Sequence, residues 1–202
     1  MDSIYGPWKE TIGVVLDELK ENLFAADDRH YVQTGEHLFE HVSSRIKSDQ
    51  SMRDKCRRRN LAETPENALT VLRDAIGLRV VCTFIDDIYK IRRAFMGFGN
   101  CKIVEEKDYI RHPKPNGYRS YHLILAVDNP DHTEGTPAFF YAEIQLRTIA
   151  MDSWAALEHK LNYKRHIENH EMIVAELKRC ADELAGCDLS MQTIRDLIRE
   201  AK

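Results

Sequence analysis

Trp8, Ile12, Val15, Leu16, Leu19 and Leu23 recur at helical spacing, which predicts an amphipathic first helix. The polar run Asp27-Asp28-Arg29-His30 loosens that pattern, and a second helix is expected to begin near Gly35. From Arg45 to Arg59 large apolar residues are scarce. Thr64-Pro65-Glu66 has the order of a helix start, with Thr as N-cap, Pro at the first helical position and an acid in the first turn.

The period then changes. Gly77 to Phe84 is β-branched and apolar, which predicts a buried strand. Asp86 to Phe98 returns to helical spacing, with Ile88, Ile91 and Phe95 inward, and Gly97-Phe98-Gly99-Asn100 ends it. Lys102 to Ile110 and Ser120 to Val127 read as extended chain. The turn-rich segment from Asp128 to Pro137 joins the latter to a strand from Phe139 to Arg147, as a long-looped antiparallel hairpin. From Thr148 onward the pattern is helical, with Gly186 as a point of interruption. The expected class is α+β: a mixed, mainly antiparallel sheet flanked by helices, with helical N- and C-terminal segments, in one domain spanning 1–202.

Alternation along Phe139–Arg147 sends Phe140, Ala142, Ile144 and Leu146 to one face, and Tyr141, Glu143, Gln145 and Arg147 to the other. Such a polar face can simply be the wet side of a sheet. A carboxylate, an amide and a guanidinium in succession can also hold a metal ion and a polar nucleotide. Asp74, just before the Gly77–Phe84 strand and near Arg79, has two readings as well. It is either a magnesium ligand beside a phosphate clamp, or a partner of Arg73 or Arg79 in a salt bridge.

Charge is unevenly spread. The net charge is −4, with 43% hydrophobic and 31% charged residues, an ordinary globular balance that argues against a general nucleic-acid coat. Between Arg45 and Arg59, however, seven basic residues face two acids. In a helix Lys47, Ser51, Lys55 and Arg58 would share one face. That stripe suits solvent, nucleic acid or a triphosphate equally. The loop His112 to His122 is punctuated by Pro and Gly, and Gly117 permits a tight turn that could aim Tyr118 outward as a base platform. The competing reading of Tyr118 is an ordinary core tyrosine.

Several classes are excluded by what the sequence lacks. There is no P-loop, no third glycine to complete Gly97-x-Gly99 as a dinucleotide fingerprint, no nucleophile elbow and no His-Asp dipeptide. Five scattered cysteines form no Cys-x-x-Cys pair. The first residues carry no basic stretch followed by an apolar run, and no segment approaches the roughly 20 apolar residues of a bilayer span, which predicts a cytoplasmic protein without membrane contact.

Five blocks in order carry a family resemblance. They are Arg73-Asp74-Ala75-Ile76-Gly77-Leu78-Arg79-Val80, Lys107-Asp108-Tyr109-Ile110, Asn116-Gly117-Tyr118-Arg119-Ser120-Tyr121-His122, Ala142-Glu143-Ile144-Gln145-Leu146-Arg147-Thr148, and the run from Trp154 to Lys164. Together with the basic stripe they cover about 40–165, and they resemble the RelA/SpoT-type alarmone synthetase domain, specifically its stand-alone small synthetases. The resemblance implies a nucleotidyltransferase-like fold and a magnesium-dependent transfer of pyrophosphate from ATP to GTP or GDP (or GMP). On matching positions, Asp74 and Glu143 would be the catalytic and metal-binding acids. Arg45, Lys47, Ser51, Lys55, Arg58 and Arg79 would hold ATP. Lys114, Asn116, Tyr118, His122, Gln145 and Asn162 would hold the guanine nucleotide.

A toxin-like relative that pyrophosphorylates the 3′ end of transfer RNA would use the same site, but the net acidic charge speaks against it. A non-catalytic nucleotide sensor would have no need of two gathered acids. The hydrolase and regulatory domains of long relatives are missing from this chain, so alarmone degradation is not expected. Two apolar stripes, Ile173/Leu177/Ala181/Leu184 and Ile194/Leu197/Ile198/Ala201, exceed what one domain of this size covers. They predict a homo-oligomer, a tetramer as in such relatives, built through helices in about 166–202.

Overall fold

The computed structural model describes residues 2–162 and 170–201. After a short 3-10 turn at Gly6–Trp8 the chain forms α1 (Lys9–Thr34), β1 (Phe39–Ile46), α2 (Asp49–Arg58), β2 (Ile76–Cys82), α3 (Ile85–Met96), β3 (Cys101–Asp108), β4 (Tyr121–Asp128), β5 (Phe139–Thr148), α4 (Ile149–Asn162) and α5 (His170–Glu200). The strands make a five-stranded sheet in the order β1-β2-β5-β4-β3. Only the central β2–β5 pair is parallel; the other neighbours are antiparallel, so the sheet is mixed and mainly antiparallel, as expected.

The core lies on one face. Phe140, Ala142, Ile144 and Leu146 of β5 are fully buried, together with Leu123, Leu125 and Val127 of β4 and Ile76, Leu78 and Val80 of β2. Ile12, Val15, Leu19 and Leu23 of α1 and Ile88, Ile91 and Phe95 of α3 complete the same cluster. Apolar burial of this kind is worth roughly 25 cal/mol per Å2 and drives the two helices onto the sheet. The opposite face of β2, β5 and β4 therefore keeps its polar side chains for other work.

Four expectations need correction. The helix expected near Gly35 is a strand, β1: Gly35 adopts a left-handed φ of 76° and ends α1, its N–H reaching Tyr31 O at 2.7 Å. β1 is an edge strand with most of its side chains exposed, so its composition is polar and its period hard to read. Asp27 does not interrupt α1; it is buried there, accepting hydrogen bonds from Leu38 N and contacting His37 Nδ1, each at 2.6 Å.

The third correction is at Thr64. Its hydroxyl accepts from Asn67 N at 3.3 Å and Pro65 and Glu66 are helical, as expected of a helix start, but the helix continues only as a π-helical turn from Asn67 to Val71 before Leu72 turns extended. The fourth is at Gly186, through which α5 runs without a break. Of the two apolar stripes on α5, the first is used within the chain: Ala181, Leu177 and Leu184 pack on Trp154 and Ala155 of α4, and Trp154 Nε1 donates to Leu177 O at 2.9 Å.

Candidate active site

Asp74 stands in the turn leading into β2, and two ammonium groups meet its carboxylate. Lys55 Nζ lies 2.6 Å from Oδ2, and Lys47 Nζ donates to the same oxygen. Burial pushes the Asp74 carboxyl up, but the hydrogen bonds and charges of Lys47 and Lys55 outweigh it and hold the group below the usual carboxylate range. Asp74 Oδ1 is buried and has no hydrogen-bond partner among the described residues. A buried carboxylate oxygen without a donor is costly in a protein interior and suits a hard cation.

Local structure explains why the lysines arrive there. Ser48 caps α2, its Oγ accepting from Ser51 N at 3.3 Å, and Lys55 follows two turns later on the side facing β2. Lys47 is fixed from both sides, its N–H donating to Ala75 O at 2.8 Å and its carbonyl accepting from Tyr5 Oη at 2.6 Å.

Glu143 sits opposite Gly77 of β2 and Ile124 of β4. Asp74 and Glu143 line a cleft together with Ser43, Arg45, Arg79 and Gln145. The same two acids also line a wider trough with Lys55, Arg73 and Lys107. Two polar spaces thus meet at the acidic pair. Arg73, one of the salt-bridge partners considered for Asp74, instead pairs with Glu105 at 3.3 Å and lies over the Tyr141 ring.

The third part of the site is the loop before β4. Gly117 has φ of 90°, and a Cβ there would fall 2.6 Å from Ala181 Cβ, so this turn demands glycine. The loop is docked on α5, with Arg119 donating to Gly117 O, Ala181 O and Asp182 Oδ1. Tyr118 does not project outward. Its ring is half-buried, edge-on to Trp154 and Tyr109, with the Lys114 ammonium 4.7 Å from its centroid. Its hydroxyl meets His122 Nε2 at 2.8 Å and accepts from Arg147 Nη2 at 2.9 Å. The docked glycine turn aims the hydroxyl inward, because a buried cation waits there. Burial, then Arg147, Lys114 and Lys107, push the His122 imidazole down to about 4, so it is neutral near pH 7. His122 Nδ1 lies 3.6 Å from Glu143 Oε1.

The structure brings most of the sequence-derived residues together. Arg45, Arg79, Asp74, Glu143 and Gln145 share the cleft, and Lys47 and Lys55 reach Asp74. Lys47, Ser51 and Arg58 line an open depression beside Asp54 and Arg57, although the Ser51 hydroxyl accepts from Ser48 Oγ at 2.9 Å. Lys114, Tyr118, His122 and Gln145 are joined around Arg147, whose Nη2 also donates to Gln145 Oε1 at 3.2 Å. Asn116 is engaged structurally, its Oδ1 accepting from Tyr118 N and its Nδ2 donating to Glu158 Oε1. Asn162 closes α4, and its side chain lies outside the described residues, as do Tyr163 and Lys164.

Two residues escaped assignment from sequence. Arg147 is 5% exposed; alternation places it on the site face as the guanidinium of the polar row, without assigning it to either nucleotide. Asp152, in the first turn of α4, pairs with Arg147 at 2.8 Å and with Arg79 at 3.5 Å. No spacing rule connects a strand to an acid beyond its end.

The family model described as the region found in RelA / SpoT proteins matches residues 44–168. The GTP pyrophosphokinase YwaC of Bacillus subtilis (strain 168) is 36% identical over 198 residues, a match covering 96% of this chain and 93% of that protein. The crystal structure of small alarmone synthetase 2 from Bacillus subtilis superposes with a TM-score of 0.79 at 34% identity, covering 92% of this chain and 96% of that one. Small alarmone synthetase 1 from the same organism, bound to its product pppGpp, superposes with a TM-score of 0.77 at 32% identity, covering 94% and 95%.

Proposed function

The chain belongs to the RelA/SpoT family, and on that premise we propose that it transfers the β,γ-pyrophosphate of ATP to the 3′-hydroxyl of GTP or GDP and releases AMP. The observation that carries this reading is that Asp74 and Glu143 share one cleft with Arg45 and Arg79, assigned to the donor, and with Gln145, assigned to the acceptor. A donor and an acceptor held by these residues would have their reacting atoms beside the two acids.

Arg45, Lys47, Lys55, Arg58 and Arg79 grip the donor's phosphates, and Lys114, Tyr118, His122 and Gln145 take the guanine nucleotide. The acceptor 3′-oxygen attacks the β-phosphorus in line. The new bond is from that oxygen to the β-phosphorus, and the bond to the α–β bridging oxygen breaks, so the electron pair leaves with AMP. Glu143 takes the proton of the hydroxyl. Neutral His122, 3.6 Å from Glu143, brings no positive charge to that carboxylate. Most of the acceleration comes from positioning and charge neutralisation, as in other phosphoryl transfers. Asp74 and Glu143 would hold a magnesium ion, which when bound supplies neutralisation of phosphate charge; the unpartnered Asp74 Oδ1 and the pair of carboxylates fit that donor set.

Residues 1–202 act as one synthetase unit, with the core at about 40–165. The second stripe on α5 stays exposed, with Ile194, Leu197 and Ile198 at 50%, 60% and 55%, which supports association into a homotetramer through the C-terminal helix. Among the described residues no helix is long and apolar enough to cross a membrane, and a cytoplasmic setting suits an enzyme that draws on ATP and guanine nucleotides. The reading is tested by incubating the chain with labelled ATP and GMP, GDP, GTP or transfer RNA in turn. Label on GDP or GTP is the expected result, and label on transfer RNA alone would overturn it.

A further inference from the structure

We propose that Asp152 is a positioning residue that couples the donor and acceptor subsites, holding Arg79 and Arg147 through one carboxylate oxygen. What each subsite binds is taken from the functional reading above.

The sheet register creates the problem that Asp152 solves. In the parallel pair, Arg79 of β2 faces Gln145 of β5, and Val81 faces Arg147. Arg79 and Arg147 are therefore diagonal neighbours on one face, within reach of each other's charge. Burial and the nearby Arg147 both lower the Arg79 affinity for its proton, yet a guanidinium stays charged, so the repulsion must be met by a counter-charge. Asp152 Oδ1 meets Arg147 Nη1 at 2.8 Å and Arg79 Nη1 at 3.5 Å. The aspartate comes from the first turn of α4, where the helix N-terminus also favours a negative group.

A continuous polar chain results. Arg79 lines the cleft with Arg45 and Asp74. From Asp152 the contacts pass to Arg147, and from Arg147 Nη2 to the Tyr118 hydroxyl at 2.9 Å and to Gln145 Oε1 at 3.2 Å. When donor phosphates draw Arg79 into the cleft, its share of Asp152 is released and the whole carboxylate falls to Arg147. Arg147 is then held by Asp152 undivided, which fixes its guanidinium in the orientation that meets Tyr118 and Gln145 for the acceptor. By linkage the acceptor tightens the donor equally.

The test measures binding without turnover, by calorimetry with GDP and a non-hydrolysable ATP analogue. In the unaltered chain, saturation with the analogue is expected to tighten GDP binding about fivefold or more. In Asp152→Asn the carboxylate is lost at constant volume, and the tightening is expected to vanish while each nucleotide alone still binds. A folded Asp152→Asn protein that keeps the full tightening overturns the proposal, and so does an unaltered chain without any. If Asp152→Asn fails to fold, Asp152→Glu keeps the charge but displaces the oxygen by one methylene, and its tightening is expected to be weaker; undiminished tightening in that variant overturns the proposal equally. Failure of the unaltered chain to bind either nucleotide overturns the functional reading itself, and this proposal with it.

Discussion

Lys55 Nζ stands 2.6 Å from Asp74 Oδ2, while Oδ1 of the same carboxylate is buried without a hydrogen-bond partner among the described residues. One oxygen is committed to the chain's own cations, and the other is left without a donor among the described residues. Asp74→Asn keeps the volume and removes the charge. Turnover is expected to fall on the order of a hundredfold or more in Asp74→Asn and in Glu143→Gln, as for loss of a metal ligand or general base. Circular dichroism checks that both variants are folded. Near-normal turnover in both would remove the acids from the mechanism.

The Tyr118 hydroxyl joins His122 and Arg147, and on the proposed reading it supports the guanine nucleotide together with the ring. Tyr118→Phe keeps the ring but deprives Arg147 and His122 of a partner. Hydrogen bonds to charged groups are worth about 1.5–3 kcal/mol, and at 1.4 kcal/mol per factor of ten the KM for the guanine nucleotide is expected to rise roughly tenfold or more. Tyr118→Ala adds the loss of ring contact. A Tyr118→Phe variant with unchanged acceptor KM would mean that the inward hydroxyl carries no binding.

His122 makes stability depend on pH. Its folded pKa of about 4 lies below the ordinary 6.5, so the unfolded chain binds the proton better between those values. The stability linked to neutral His122 is present above about pH 6.5 and is lost as pH falls toward 4, by up to about 3 kcal/mol at 1.36 kcal/mol per unit. Urea titrations at pH 7 and 4.5, for the unaltered chain and for His122→Gln, isolate this contribution from that of the carboxylates. The variant is expected to lose less stability on acidification. An equal loss in both proteins would refute a buried neutral His122.

Association through α5 is tested by charge. Leu197→Asp with Ile198→Asp places two carboxylates in an exposed apolar stripe. Light scattering at micromolar concentration is expected to give a tetramer mass for the unaltered chain and a smaller assembly for the double variant. A monomer mass for the unaltered chain contradicts the proposal.

Legibility followed the physics of each element. β5 and β2 were plain in the sequence, because alternation and β-branching mark strands with a buried face, and with β5 came Glu143, Gln145 and the placement of Arg147. β1 was not legible, because an edge strand with exposed side chains has no apolar period, so Ser43 and Ser44 went unnoticed as cleft residues. Asp74 was found from its place before β2, but its partners were misjudged: Lys47 and Lys55 lie 27 and 19 residues away in sequence and are joined to it only by the fold. The orientation of Tyr118 was open for a related reason. Gly117 announces a turn, but its direction is set by α5 more than sixty residues later. Asp152 had no local signal at all.

On the proposed function, pyrophosphate moves as a unit from ATP to a guanine nucleotide. ATP labelled at its γ-phosphorus, incubated with GTP and magnesium, separates the possibilities when products are resolved by ion-exchange chromatography. The expected result is AMP and a labelled guanosine pentaphosphate formed one for one, with no ADP. Labelled inorganic phosphate with ADP, or unchanged ATP beside intact GTP, would contradict it.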